Sequence, residues 1–122
     1  MEQGPQAKNI APPYKVLWHQ EIKRDFSRAS HSDVRNIVKT AERRLSLAPQ
    51  LIGQPLKGTT SLLWKIRFGK YRVVYTLNQR KKEVWVLSVQ GRDEVYRHSH
   101  VQSLLKLAVA LHEQMERGGA DE

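Results

Sequence analysis

No cysteine occurs among the 122 residues, so neither a disulfide framework nor thiolate chemistry is open to this chain. No stretch approaches the roughly 20 apolar residues of a membrane span, and the first residues lack the apolar core of a signal peptide. A cytoplasmic location without a membrane partner is the expectation. Acidic residues are scarce beside basic ones: 12 Asp and Glu stand against 21 Lys and Arg, a formal charge of +9. Such an imbalance argues for a polyanion, nucleic acid foremost, more than for a neutral metabolite. Neither a Ser/His/Asp triad, nor a phosphate-cradling glycine loop, nor a paired-carboxylate site stands out, and there is no internal repeat. The pair His98 and His100 has no neighbouring cysteine or carboxylate trio and reads as surface residues, so no metal and no cofactor are expected.

What is present is enough for one modest core, with 39% hydrophobic residues. Residues 1–13 hold three prolines, a glycine and little apolar material, which predicts a flexible arm. Tyr14, Val16 and Trp18 alternate as in a short first strand. From His19, the spacing of Ile22, Phe26 and Ala29 predicts a helix. Ser30-His31-Ser32-Asp33 resembles a capping box that opens a second one. That second helix is expected to bury Val34, Ile37, Val38, Ala41, Leu45 and Ala48 and to end at Pro49. Its outer face carries Arg35, Lys39, Glu42, Arg43 and Arg44, a solvated face first and extra phosphate contacts second. Residues 50–61, with Gly53, Pro55 and Gly58, read as a loop.

The densest signal follows. In residues 62–68, Leu62, Trp64, Ile66 and Phe68 share one side of a strand, and Lys65 and Arg67 point to the other. Residues 71–77 alternate again, with Tyr71, Val73, Tyr75 and Leu77 as the apolar set. The intervening Gly69-Lys70 suits a two-residue type II′ turn, because glycine accepts the positive φ of its first central position. This turn pairs Phe68 with Tyr71, Arg67 with Arg72 and Lys65 with Val74, and it brings both apolar sets to the same side. Two arginines directly opposite cost a few tenths of a kcal/mol to about 1 kcal/mol, a penalty that a bound anion would reverse.

Residues 83–89 form a third alternating strand. Pairing Tyr75 with Trp85 predicts Val73 opposite Leu87, Tyr71 opposite Val89, and Ser88 beside Arg72 on an open face, with Gly91-Arg92-Asp93 close to the basic cluster. All three tryptophans, Trp18, Trp64 and Trp85, fall on expected core faces. From about Ser99 to Arg117, Val101, Leu104, Leu105, Ala108, Leu111 and Met115 form a helical stripe, widened by Leu107 and Val109. It reads first as a core helix and second as a partner surface. The expected organisation is therefore an arm over residues 1–13, a folded domain over 14–98, and a C-terminal amphipathic helix and tail over 99–122.

Taken together, Leu56-Lys57-Gly58, Leu63-Trp64-Lys65-Ile66-Arg67, Gly69-Lys70-Tyr71-Arg72-Val73-Val74-Tyr75 and Gly91-Arg92-Asp93-Glu94-Val95-Tyr96 resemble the RelE/ParE toxin superfamily of toxin–antitoxin systems. The resemblance covers roughly residues 14–97. It implies an α+β fold in which an antiparallel sheet carries two N-terminal helices on one face, with a C-terminal helix added. It also implies a cognate antitoxin as partner and a hetero-oligomer with it.

The RelE branch of that superfamily cleaves mRNA on the ribosome, whereas the ParE branch poisons DNA gyrase without nuclease chemistry. RelE-like enzymes place basic residues and a tyrosine where this chain has Lys65, Arg67, Arg72, Arg92 and Tyr96; Lys65 and Tyr96 favour that branch. The expected activity is a metal-independent endoribonuclease in which a ribose 2′-OH attacks its own phosphate. In it, Lys65 and Arg72 stabilise the phosphorane, Tyr96 serves as base with its ordinary pKa of about 10 lowered by cations, and Arg92 acts at the leaving oxygen. Some relatives carry lysine at the position of Arg67. A guanidinium effectively never gives up its proton, so Arg67 is assigned to phosphate binding, with Lys57 and Lys70. A ParE-like gyrase inhibitor and a non-catalytic binding module remain as alternatives.

Overall fold

The computed structural model describes residues 13–91 and 98–120. The expected N-terminal arm lies outside the described residues, apart from Pro13. In chain order the elements are β1 (Lys15–Trp18), α1 (Ile22–Phe26), α2 (His31–Leu45), α3 (Pro49–Ile52), β2 (Gln54–Pro55), β3 (Trp64–Phe68), β4 (Tyr71–Asn78), β5 (Glu83–Gly91) and α4 (His98–Ala120). The five strands make one sheet in the order β1-β5-β4-β3-β2. It is antiparallel except for β1, which runs parallel to β5.

Each face of the sheet carries its own core. On one face, Ile22 of α1 and Ile37, Ala41 and Leu45 of α2 pack against Phe68, Val73, Tyr75, Leu77, Val84, Val86 and Val89. On the other, Leu104, Ala108, Leu111 and Met115 of α4 cover Leu63, Val74 and Leu87. The expected stripe of the last helix is thus a core stripe, and Val109 at its margin is exposed. The face that the sequence reading left open is in fact roofed over part of its area: Ser88 is buried, with its Oγ 3.3 Å from His100 Nε2. His100 therefore turns toward the sheet, not toward solvent, and Gln90 Nε2 is 3.1 Å away from the same nitrogen.

The hairpin has the expected register, with Phe68 opposite Tyr71, Arg67 opposite Arg72 and Lys65 opposite Val74. Gly69 takes a φ of +60° at the turn, which a side chain would resist. The register to β5 differs from expectation. Tyr75 pairs with Val86, Val73 with Val89, Tyr71 with Gly91 and Arg72 with Gln90. Val74 faces Ser88, so Leu87 is the extra residue of a bulge between Val74 and Tyr75. Trp85 accordingly lies on the α4 face, while Trp18 and Trp64 lie on the α2 face.

Ser30 caps α2 as expected, its Oγ accepting from Asp33 N at 3.1 Å. The helix stops at Leu45, short of Pro49. Proline instead opens α3, at the first helical position where its missing N–H costs nothing. Residues 50–61 are not wholly loop, because β2 pairs Gln54 with Lys65 and Pro55 with Trp64. Helix α1 is shorter than the spacing predicted: Arg28 N and Ala29 N bond back three residues, to Asp25 O and Phe26 O, which ends it before Ala29.

Candidate functional site

Alternation along β3 sends Trp64 and Ile66 into the α2 core and leaves Lys65 and Arg67 exposed on the opposite side. Arg72, directly across from Arg67, is half-buried. These three cations line a cleft of about 560 Å³ together with Arg44 of α2. Ile52, Gln54 and Ile66 also line it, so among the described residues the cleft carries four positive side chains and no carboxylate. Strand β2 spans only two residues and pairs with Trp64 and Lys65. Beyond them, the outer edge of β3 has no strand partner among the described residues, and this gap opens the cleft between the sheet edge and α2.

Two buried contacts hold the α3–β2 segment that supplies Ile52 and Gln54 to the cleft. Tyr75 donates from its hydroxyl to the Pro49 carbonyl at 2.6 Å, which ties α3 to β4; burial pushes the phenol well above its usual pKa. Gly53 lies so close that a methyl group there would overlap the Tyr75 hydroxyl. Glycine at this position therefore lets the chain turn from α3 into β2 directly over the tyrosine.

At the hairpin turn, Asp33 of α2 accepts from Tyr71 at 2.7 Å and pairs with Lys70 Nζ at 3.6 Å. The Tyr71 hydroxyl bond and the Lys70 charge hold the Asp33 carboxyl below its usual pKa, and the same carboxylate raises that of Tyr71. Lys70, expected among the phosphate ligands, is thus engaged in an ion pair and also sits 5.6 Å over the Tyr71 ring.

The structure brings together Lys65, Arg67 and Arg72. Lys57 stands on the exposed turn after β2 and does not line this cleft. Arg92 and Tyr96 lie outside the described residues; the strand that precedes them ends at Gly91, opposite Tyr71. Arg44, read from the sequence as part of a solvated helix face first and as an extra phosphate contact second, lines the cleft. It stands on the flank of the buried Ile37–Ala41–Leu45 stripe, with its guanidinium carbon 5.7 Å from the centre of the Phe68 ring. Its place beside that stripe was the signal available. Among the described residues, no cluster of metal-ligating side chains occurs and no helix is long and apolar enough to cross a membrane.

This α+β fold, a five-stranded sheet packed with helices, is that of RelE-like toxins. Residues 16–96 match the family model described as the ParE toxin of the type II toxin–antitoxin system parDE. Toxin RelG of Mycobacterium tuberculosis is 28% identical over 85 residues, covering 70% of this chain and 98% of that protein. The RelBE2 toxin–antitoxin complex of the same organism contains a chain that superposes with a TM-score of 0.63 at 26% identity, over 70% of this chain and 98% of that one. An Escherichia coli RelE mutant bound to an antitoxin RelB peptide shares the fold, with a TM-score of 0.54 at 24% identity, over 75% of this chain and 92% of that one. The chain belongs to the RelE/ParE superfamily of type II toxin–antitoxin toxins.

Proposed function

We propose that this toxin is a ribosome-dependent mRNA endoribonuclease that halts translation. The observation that carries the reading is the convergence of Lys65, Arg67 and Arg72, with Arg44, on one cleft. Four cations in so small a space suit a phosphodiester whose negative charge grows in the transition state. In the proposed step, the ribose 2′ oxygen bonds to the adjacent phosphorus and the bond from phosphorus to the 5′ oxygen breaks. The products are a 2′,3′-cyclic phosphate and a 5′ hydroxyl. Lys65 and Arg72 stabilise the phosphorane, and Arg67 holds the phosphate. Family resemblance assigns removal of the 2′ proton to Tyr96, acting as its phenolate, and stabilisation of the leaving 5′ oxygen to Arg92, with water supplying the proton that completes the 5′ hydroxyl. The similarity to toxins solved with their antitoxins supports a cognate antitoxin here too, one that covers the basic face or α4.

The test is cell-free translation with primer extension on ribosome-bound message. Wild type is expected to cut within the message, and an Arg72→Ala/Tyr96→Phe protein is expected to leave it intact. Cutting by that double variant overturns the assignment. Inhibition of gyrase supercoiling with translation untouched establishes the ParE-like alternative, to which the matched family model belongs.

A further inference from the structure

A second groove, of about 470 Å³, adjoins the cationic cleft and shares Arg44 and Arg67 with it. One wall is a stripe of α2, where Asp33, Asn36, Thr40 and Arg44 recur every three or four residues and so stand on a single helical face. The other wall is the β3–β4 turn, from Arg67 to Tyr71. Ile37 and Phe68, both buried, form an apolar floor. Its volume falls within the roughly 300–1,000 Å³ of ordinary small-ligand sites, and an apolar floor with a few polar groups at the rim is their usual composition.

Charge is graded along this groove. At its junction with the cleft stand Arg44 and Arg67, with Arg44 set over the Phe68 ring. At its far end the Asp33 carboxylate is met by the Tyr71 hydroxyl and the Lys70 ammonium, so the end is close to neutral. A phosphate is therefore favoured at the junction and an uncharged group beyond it. Asn36 donates and accepts, as does Thr40, which matches the hydrogen-bonding edges of a ribose or a base. The planar Arg44 guanidinium is also a surface on which a base can stack.

Resting on the endoribonuclease reading, we infer that the RNA strand runs from the cleft into this groove. The phosphate next to the scissile one sits at Arg44, with Arg67, which lines both spaces, shared between the two phosphates, and its nucleoside lies over Ile37 and Phe68 within reach of Asn36 and Thr40. Arg44 binds this flanking nucleotide and takes no part in bond breaking.

The test is fluorescence anisotropy of the full chain with non-cleavable 2′-O-methyl RNAs of increasing length. For wild type, one added flanking nucleotide is expected to tighten binding in a step; Arg44→Ala is expected to remove that step and to weaken the longer RNAs about five- to tenfold. The slope of log affinity against log salt should fall by about 0.7, the single-strand value for one phosphate. Asn36→Ala is expected to shrink the same step without changing the salt slope. Thermal unfolding of each variant checks that the fold is retained, and Arg44→Lys is expected to recover the salt slope. An unchanged length dependence in Arg44→Ala overturns the inference. So does a loss confined to binding of a polyglutamate peptide, which would make the groove a protein-docking site. Absence of RNA binding at every length, in a protein that still cuts ribosome-bound message, overturns the groove alone; absence of both binding and cutting overturns the reading beneath it.

Discussion

The Tyr71 hydroxyl donates to Asp33 Oδ2 at 2.7 Å, joining the β3–β4 turn to the first turn of α2 across 38 residues of sequence. Both partners titrate away from their ordinary values, Asp33 downward and Tyr71 upward. A lowered carboxyl pKa gives stability that is present above about pH 4 and is lost as pH falls through the folded value. A raised phenol pKa gives stability that is present below about pH 10 and is lost as pH rises through the folded value. The bond is thus expected to hold throughout the interval between these limits. Ultraviolet titration of the tyrosines should show two late phenols, those of Tyr71 and Tyr75, and Asp33→Asn should return one of them toward the ordinary range. A set of late phenols that Asp33→Asn leaves unchanged would contradict the assignment.

Tyr75 and Gly53 yield a prediction about coupling. Tyr75→Phe leaves the Pro49 carbonyl without its donor and is expected to cost about 1–3 kcal/mol. Gly53→Ala is expected to destabilise through overlap of the new methyl with the Tyr75 hydroxyl. With the hydroxyl gone, the nearest ring atom is 2.9 Å away, so the alanine should cost less in the Tyr75→Phe background. Urea midpoints of the four proteins measure this; strict additivity would show that the two residues do not meet.

The hairpin that builds the cleft was legible because β3 keeps one polar face. Lys65 and Arg67 interrupt the apolar run at every second residue, and Gly69 marks the turn, so only one register satisfies both strands. Strand β5 offers no such guide. Val84, Val86, Leu87, Ser88 and Val89 are all buried, since α2 covers one face and α4 the other, and a bulge in a strand buried on both faces leaves no trace in polarity. Pro49 misled for a related reason, because proline is as suited to the first turn of a helix as to stopping one. Arg44 was visible only as one of several exposed cations on α2. Its partners in the cleft come from α3, β2, β3 and β4, and no local pattern encodes that meeting.

His112 links the docking of α4 to pH. Thr76 gives its hydroxyl hydrogen to Leu62 O at 2.7 Å, which leaves its oxygen to accept from His112 Nε2 at 3.0 Å. Burial lowers the imidazole pKa, and the charge of Glu116 opposes this in part. The unfolded chain therefore binds the proton more readily: the contribution is complete above about pH 6.5 and declines as pH falls through the lower folded value. Wild type is expected to lose stability between pH 7.5 and pH 5.5 by more than His112→Gln does. Equal losses in urea unfolding at the two pH values would remove His112 from the explanation.

Arg67 offers the sharpest probe of the chemistry, because it stands directly across from Arg72. An arginine there stays charged at every working pH, so it binds phosphate without exchanging a proton. A lysine at the same point keeps the charge only while it holds its proton, and the neighbouring cations of the cleft favour its release. Arg67→Lys is therefore expected to cleave near neutral pH at a rate within about tenfold of wild type, having lost the fork geometry but not the charge. At higher pH its activity should fall earlier than that of wild type, as the ammonium empties and the phosphate loses a partner. Arg67→Ala should be weak at all pH values, with the loss expressed mainly in KM. Should Arg67→Lys instead gain activity as pH rises, a neutral amine would be serving there as a base, and the position would belong to proton transfer.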